Sequence, residues 1–271
     1  MFLPPFAGPN LKIDRAYRHF DELKDLIVAY QATARRAFVP VPGEEYAWTF
    51  QADQPPPELA IVLGDIAHSL RSALDVMVCD IARLRGRGQS DMAFPFAEDE
   101  AKWKAKLTES KKKEPWLKLG SDVVDAISDL KPYRQGNIFL RGLHDINNMD
   151  KHKIVCPVAA LLSVQANPSH HITSYLRKTM DQAGKADEPT PAIMFLGGIP
   201  VAFSIGQIWR CGPDDPHPSQ EFPLDSARLI PKLPEDLPVN VPFGGMYISE
   251  LAQHLLDNTT QVVDLFKRQF G

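Results

Sequence analysis

Two short stretches of this 271-residue chain concentrate the side chains that can move protons or hold anions. The first runs from Asp65 through His68, Arg71 and Ser72 to Asp75. At about 100° per residue, Asp65, His68, Ser72 and Asp75 fall within roughly a quarter turn of a helix, with Arg71 at the edge of that stripe. A carboxylate one turn from an imidazole can fix its tautomer and raise its basicity, as a general base or a metal ligand requires. The second stretch is Leu143-His144-Asp145-Ile146-Asn147-Asn148-Met149-Asp150-Lys151-His152-Lys153. There His144, Asn148 and His152 share one helical face, with Lys151 beside them and Asp150 further round. Two histidines two turns apart are separated by about 12 Å along the axis, too far to share one ion, so each needs a partner from elsewhere.

These residues support two kinds of chemistry. In a catalytic arrangement His68 or His152 is the general base and Asp65, Asp75 or Asp150 orients it, while Arg71, His144, Asn148 and Lys151 hold an anionic phosphate or carboxylate. Phosphodiester cleavage is the reaction class that fits. In an architectural arrangement Arg71 and Asp75 form an intrahelical ion pair and His68 bonds a neighbouring helix, fixing the register of a bundle. Neither stretch matches a metal motif such as H-E-x-x-H, so no metal ligands are assigned and no cofactor is identified. Ser72 is not in a G-x-S-x-G elbow.

The helices that must carry these groups are legible. From Pro57 to Arg85 the chain reads as a helix apolar on most of its circumference, with Gly86 and Gly88 at its end, and Ile61 and Cys79 lie on the same stripe as the charges. That composition predicts that the stripe does not face bulk water. Leu11 to about Phe38 repeats Ile13, Ala16, Tyr17, Phe20, Leu23, Ile27, Tyr30 and Ala34 at helical spacing. Val39 to Pro57 is Pro-rich and reads as a loop, with Tyr46 to Phe50 as a short edge strand. Ala93 to Phe96 forms an apolar anchor. Shorter helices follow at Glu98 to Ser110 and Ser121 to Leu130, the second with Ser121 as N-cap, and Asn137 to about Ile154 is helical again.

After Pro157 the pattern shifts to period two, most clearly at Ile199, Val201, Phe203 and Ile205, with further strands expected at Ile193 to Leu196, Gln220 to Leu224 and Val239 to Val241. His170 to Arg177 is ambiguous. Ser249 to Phe270 closes the chain as an amphipathic helix. The expected fold class is α+β, with a helical bundle over 1–156 and, over 157–271, a small, mostly antiparallel sheet and a closing helix packed with the bundle.

Composition narrows the function classes. The chain is 44% hydrophobic and 24% charged, with net charge -4 and pI near 6.1, which argues against a general nucleic-acid or anionic-membrane binder. A run of lysines (Lys102, Lys104, Lys106, Lys111, Lys112, Lys113, Lys118) with Trp103 and Trp116 could contact phosphate and stack on a base, but reads more simply as a solvated helix and loop. No apolar run reaches membrane-span length. Cys79, Cys156 and Cys211 are widely spaced without a C-x-x-C pair, and the start lacks the pattern of a secretory signal, so a reducing cytoplasm is expected. A small anionic ligand and a homo-oligomer are the partners compatible with this picture.

The phrases Gly64-Asp65-Ile66-Ala67-His68-Ser69-Leu70-Arg71-Ser72-Ala73-Leu74-Asp75 and Asn148-Met149-Asp150-Lys151-His152-Lys153 resemble paired signatures, H-N-L-R-S-A-L-D and D-K-H-R, of a group of bacterial proteins with a β-rich tail and no established activity. Ser69 stands for the usual Asn and Lys153 for the usual Arg. A looser similarity is to HEPN domains, helical bundles that often act as RNases through an Arg followed four to six residues later by His. Here Arg141 and His152 have ten residues between them, and Arg210 with His217 has the spacing in a Gly/Pro-rich segment. The expected function is a binding or interaction protein with a semi-buried Asp/His/Arg cluster between two central helices. The alternative is a phosphodiester or nucleotide hydrolase.

Overall fold

The computed structural model describes residues 3–109, 114–152, 158–164, 201–203, 208–210, 227–231 and 246–271. The elements are α1 (Ala7–Thr33), β1 (Arg36–Pro40), β2 (Ala47–Ala52), α2 (Glu58–Leu84), α3 (Glu100–Glu109), a 3-10 turn (Pro115–Leu119), α4 (Ser121–Asp129), α5 (Ile138–His152), β3 (Val158–Val164), β4 (Val201–Phe203), β5 (Ile208–Arg210), β6 (Ala227–Pro231) and α6 (Ile248–Phe270). The architecture is mainly helical with two small sheets, in which β1–β2, β2–β5 and β3–β4 pair antiparallel, and a closing helix, the expected α+β class. The chain forms two compact units, one of Met1–Leu26, Pro57–Val158 and Pro231–Gly271, the other of Ile27–Pro56 and Ala159–Ile230.

The first unit is built around α2. Leu59, Leu63, Ile66, Leu70, Leu74, Met77, Val78 and Ile81 are fully buried along it. Small residues at Ala60, Ala67, Ala73 and Ala82, all buried, let neighbouring backbones approach. Pro57 precedes the first turn, where its missing N–H costs nothing, and Glu58 complements the positive end of the dipole. Gly86, at φ 63°, ends the helix: Arg87 N–H reaches Ala82 O at 2.8 Å and Gly86 N–H reaches Arg83 O at 3.0 Å, the paired bonds of a Schellman motif. Helix α6 lays Leu251, Leu255, Leu256, Val262, Val263 and Phe266, all buried, against α2 and α5. Its start is fixed by Glu250 accepting the N–H of Tyr247 at 3.2 Å.

The second unit holds the turn from α1 into β1. The helix expected to reach Phe38 stops at Thr33, because Phe38, Val39 and Pro40 enter a strand instead. β1 pairs antiparallel with β2, Phe38 opposite Phe50, and β2 pairs on its other side with β5, Thr49 opposite Ile208. The segment expected as an edge strand is therefore the middle of a three-stranded sheet. Asp53 locks the corner, its carboxylate accepting Arg35 N–H at 2.8 Å and its carbonyl accepting the Tyr30 hydroxyl at 2.7 Å. A second sheet has the order β4-β3-β6, with Leu162 opposite Phe203. Of the expected strands, Val201 to Phe203 lies in it as β4. Ile193 to Leu196, Gln220 to Leu224, Val239 to Val241 and His170 to Arg177 lie outside the described residues.

Two further differences are local. Tyr17, expected on the inner face of α1, is exposed. Ser121 is the first helical residue of α4 rather than its cap, Gly120 taking the cap position at φ 116°. Among the described residues no helix is long and apolar enough to cross a membrane.

Candidate functional site

The two chemistry-bearing stretches meet where α5 packs on α2. His68 Nδ1 and Asn147 Oδ1 stand 3.4 Å apart, a long hydrogen bond between the helices. Asn147 is 2% exposed, so its amide needs such a partner. One turn further along α2, Arg71 Nη2 pairs with Asp75 Oδ1 at 3.0 Å, the guanidinium side chain 12% exposed and the carboxylate 33%. The same Asp75 oxygen accepts the backbone N–H of Phe94 at 2.8 Å. Both contacts of the architectural arrangement, the intrahelical ion pair and the bond from His68 to a neighbouring helix, are thus present.

The segment from Phe94 to Ala97 covers this end of the stripe, and its three side chains 94–96 are buried. Phe96 is the centre of the packing. Its ring lies 4.6 Å from the guanidinium carbon of Arg71 and stacks 4.6 Å from His144, with 14° between the ring planes. Phe94 packs against it at 5.1 Å. The backbone of the segment is held at both ends, Asp75 bonding Phe94 N–H and Arg141 donating to Ala97 O at 2.7 Å. Arg141 is in turn gripped by Asp145 at 2.6 Å and 3.1 Å. On α5, Asn148 Nδ2 and His144 Nε2 are 3.0 Å apart, a side-chain contact one turn along the helix.

Electrostatically the site is a desolvated cation with a local counter-charge. Burial pulls the Arg71 guanidinium below its ordinary value and the Asp75 carboxylate pulls it back up. Nη1 of Arg71 is buried without a hydrogen-bond partner, so the ring of Phe96 and the carboxylate of Asp75 carry its stabilisation. Cys79, one turn beyond Asp75, has its thiol pushed up by burial and then by the carboxylates of Asp75 and Asp80. It is a protonated packing residue, its Sγ 3.7 Å from Met92 O.

The stripe is not sealed along its length. Asp65 and His68 are exposed, as is Ile61 at the start of the same face, whereas Arg71, Ser72 and Asp75 are partly buried. The backbone and ring contacts of segment 94–97 fall on the second half of the stripe, Phe94 on Asp75 and Phe96 on Arg71. Asp65 and His68, expected to stand as orienting carboxylate and base, are thereby separated in environment from Arg71 and Asp75. The backbone of Asp150, Lys151 and His152 completes α5, and their side chains lie outside what is described, as does all of Lys153. Among the described residues no group of three His, Cys, Asp or Glu is arranged to hold a metal ion.

Phe96 and Asn147 matter more here than their sequence positions suggested. Asn147 had one signal, since it follows Leu143 by one turn on the apolar side of α5, where an amide must find a partner. Phe96 had none beyond its place in an apolar anchor. The lysine-rich region offers no stacking platform among the described residues: Trp103 and Trp116 are buried and stack on each other at 5.5 Å, Lys102 pairs with Glu98, Lys104 with Glu100 at 2.8 Å, and Lys106 with Glu114 at 3.1 Å. Lys111, Lys112 and Lys113 lie outside the described residues, as do His170, Cys156, Cys211 and His217. Arg210 ends strand β5. No protein-family model, no curated protein and no solved structure matches the chain.

Proposed function

We propose that this is a binding or interaction protein in which the polar seam between α2 and α5 is chiefly architectural. One observation carries the reading: the Asp75 carboxylate, the strongest candidate for proton chemistry in the partly buried half, is spent on Arg71 at 3.0 Å and on the backbone N–H of Phe94 at 2.8 Å. A carboxylate engaged by a guanidinium and an amide fixes geometry. Arg71 and Phe96 are engaged with each other in the same way. The protein is read as soluble, bacterial and cytoplasmic, a member of the group with H-[NS]-L-R-S-A-L-D and D-K-H-[RK] signatures. On this reading the first signature is kept because it builds α2's contact with the 94–97 segment. A homo-oligomer and a small anionic ligand held by Arg71, His144, Asn148 or Lys151 belong to the same proposal.

The experiment is Asp75→Asn, followed by both denaturation and turnover of bis(p-nitrophenyl) phosphate. Architecture predicts a large fall in the denaturation midpoint and no turnover in either protein. A parent protein that cleaves the ester, with a variant that melts like the parent and has lost cleavage, overturns it.

A second reading, a hydrolase acting on a phosphodiester or nucleotide, is favoured by one feature: His68 is exposed and its ring is held by a buried amide. Loss of ester cleavage in His68→Ala with unchanged melting would select this reading.

A further inference from the structure

A separate groove opens on the first unit between α3, the 3-10 turn and α4, with a volume of about 550 Å³. That is the size of a site for a small organic molecule. Leu107, Leu117 and Val124 supply its apolar lining, and Thr108, Ser121, Ser128 and Asp125 its polar atoms. Two of the three hydroxyls, those of Thr108 and Ser128, have their protons committed inside their own helices, and Ser121 is exposed at the start of α4. Thr108 Oγ1 donates to Lys104 O at 3.0 Å and Ala105 O at 3.3 Å, and Ser128 Oγ donates to Val124 O at 2.8 Å. A hydroxyl whose proton is used offers only lone pairs to a ligand. Asp125 is exposed and adds a carboxylate that takes part in no ion pair among the described residues.

The neighbouring charges point the same way. The first turn of α4 already carries an anion, Asp122, whose carboxylate accepts hydrogen bonds from the Arg85 guanidinium. Among the described residues no lysine lines the groove: on α3 Lys104 pairs with Glu100 and Lys106 with Glu114, and Lys118 on the 3-10 turn is exposed. Among the described residues the groove therefore presents two committed hydroxyls that can only accept, the Ser121 hydroxyl and the Asp125 carboxylate around an apolar floor.

We infer that the α3–α4 groove binds a small amphipathic amine, its apolar body on Leu107, Leu117 and Val124 and its ammonium group at Asp125. The inference is independent of the α2–α5 seam and of what that seam does.

The test uses the full chain with methyl-labelled Leu and Val and three probes of one shape: tryptamine, the uncharged 3-ethylindole and the acidic indole-3-propionate. Tryptamine at millimolar concentration is expected to shift the methyl signals of Leu107, Leu117 and Val124 saturably, 3-ethylindole more weakly and indole-3-propionate least. Asp125→Asn, at an exposed position that does not endanger the fold, should weaken tryptamine by about fivefold at most, the scale of a partly solvated ion pair, and leave 3-ethylindole unchanged. No saturable shift at these methyls, equal or better binding of the acid, or tryptamine binding indifferent to Asp125→Asn would each overturn the inference.

Discussion

The carboxylate of Asp75 on α2 accepts the backbone N–H of Phe94 at 2.8 Å, so a side chain of the central helix fixes the segment that carries Phe96. Through that segment Arg71 is covered and α5 is reached, because Phe96 touches both the guanidinium and the imidazole of His144. A single carboxylate thus organises three pieces of chain.

Asp75→Ala is expected to lower stability by about 2–3 kcal/mol, since it leaves the Arg71 cation partly buried without its counter-charge and frees the Phe94 amide, the third of the carboxylate that is exposed tempering the loss. Urea denaturation measures it. Arg71→Met combined with Asp75→Ala should cost clearly less than the sum of the two single changes, the sign of a coupled pair.

Phe96→Ala should cost about 3–5 kcal/mol by opening a cavity between α2 and α5. The same change exposes Arg71 and His144 together, so the near-ultraviolet circular dichroism should change along with the melting point.

His68→Ala and Asn147→Ala share one hydrogen bond but differ in burial. Truncating His68 leaves the buried Asn147 amide without this partner and should cost about 1–3 kcal/mol, whereas truncating Asn147 leaves an exposed imidazole that water satisfies and should cost under about 1 kcal/mol in hydrogen bonding. Equal effects in thermal denaturation would contradict the exposure gradient along the stripe.

Gly120 sits at φ 116°, and a Cβ there would run into the Arg85 guanidinium, which bonds Leu119 O at 2.7 Å and pairs with Asp122. Gly120→Ala should therefore destabilise by about 1–3 kcal/mol. Gly88→Ala, where nothing lies within 4 Å, should be nearly silent in the same melting assay.

Burial and the carboxylates of Asp75 and Asp80 raise the Cys79 thiol above its ordinary value of 9.0. The folded state therefore holds this proton more tightly than the unfolded chain does. Its contribution to stability is full below that ordinary value and drains away as pH rises through the folded one. Iodoacetamide labelling of Cys79 in the native protein should be slower at pH 8.5 than in urea, and a native rate as fast as the denatured one would contradict this.

The amino-acid sequence determined the helices of the first unit to within a few residues, because each has a long apolar periodicity and clear punctuation: α2 between Pro57 and Gly86, α6 from the residue after Tyr247 to Phe270. It also determined which residues could meet, since Arg71 and Asp75 are one turn apart on any helix. The end of α1 and the place of β2 were not legible, because a strand of Phe38 and Val39 or of Trp48 and Thr49 depends on partners distant in the chain, β5 among them. Only the tertiary structure decided how the stripe divides. Whether a polar residue on a largely apolar helix meets solvent depends on what lies above it, and the 94–97 segment covers Arg71 and Asp75 while leaving Asp65 and His68 exposed. Phe96 owes its role to the same cause: an aromatic ring becomes the hub of a site through the two side chains that a fold happens to bring to it.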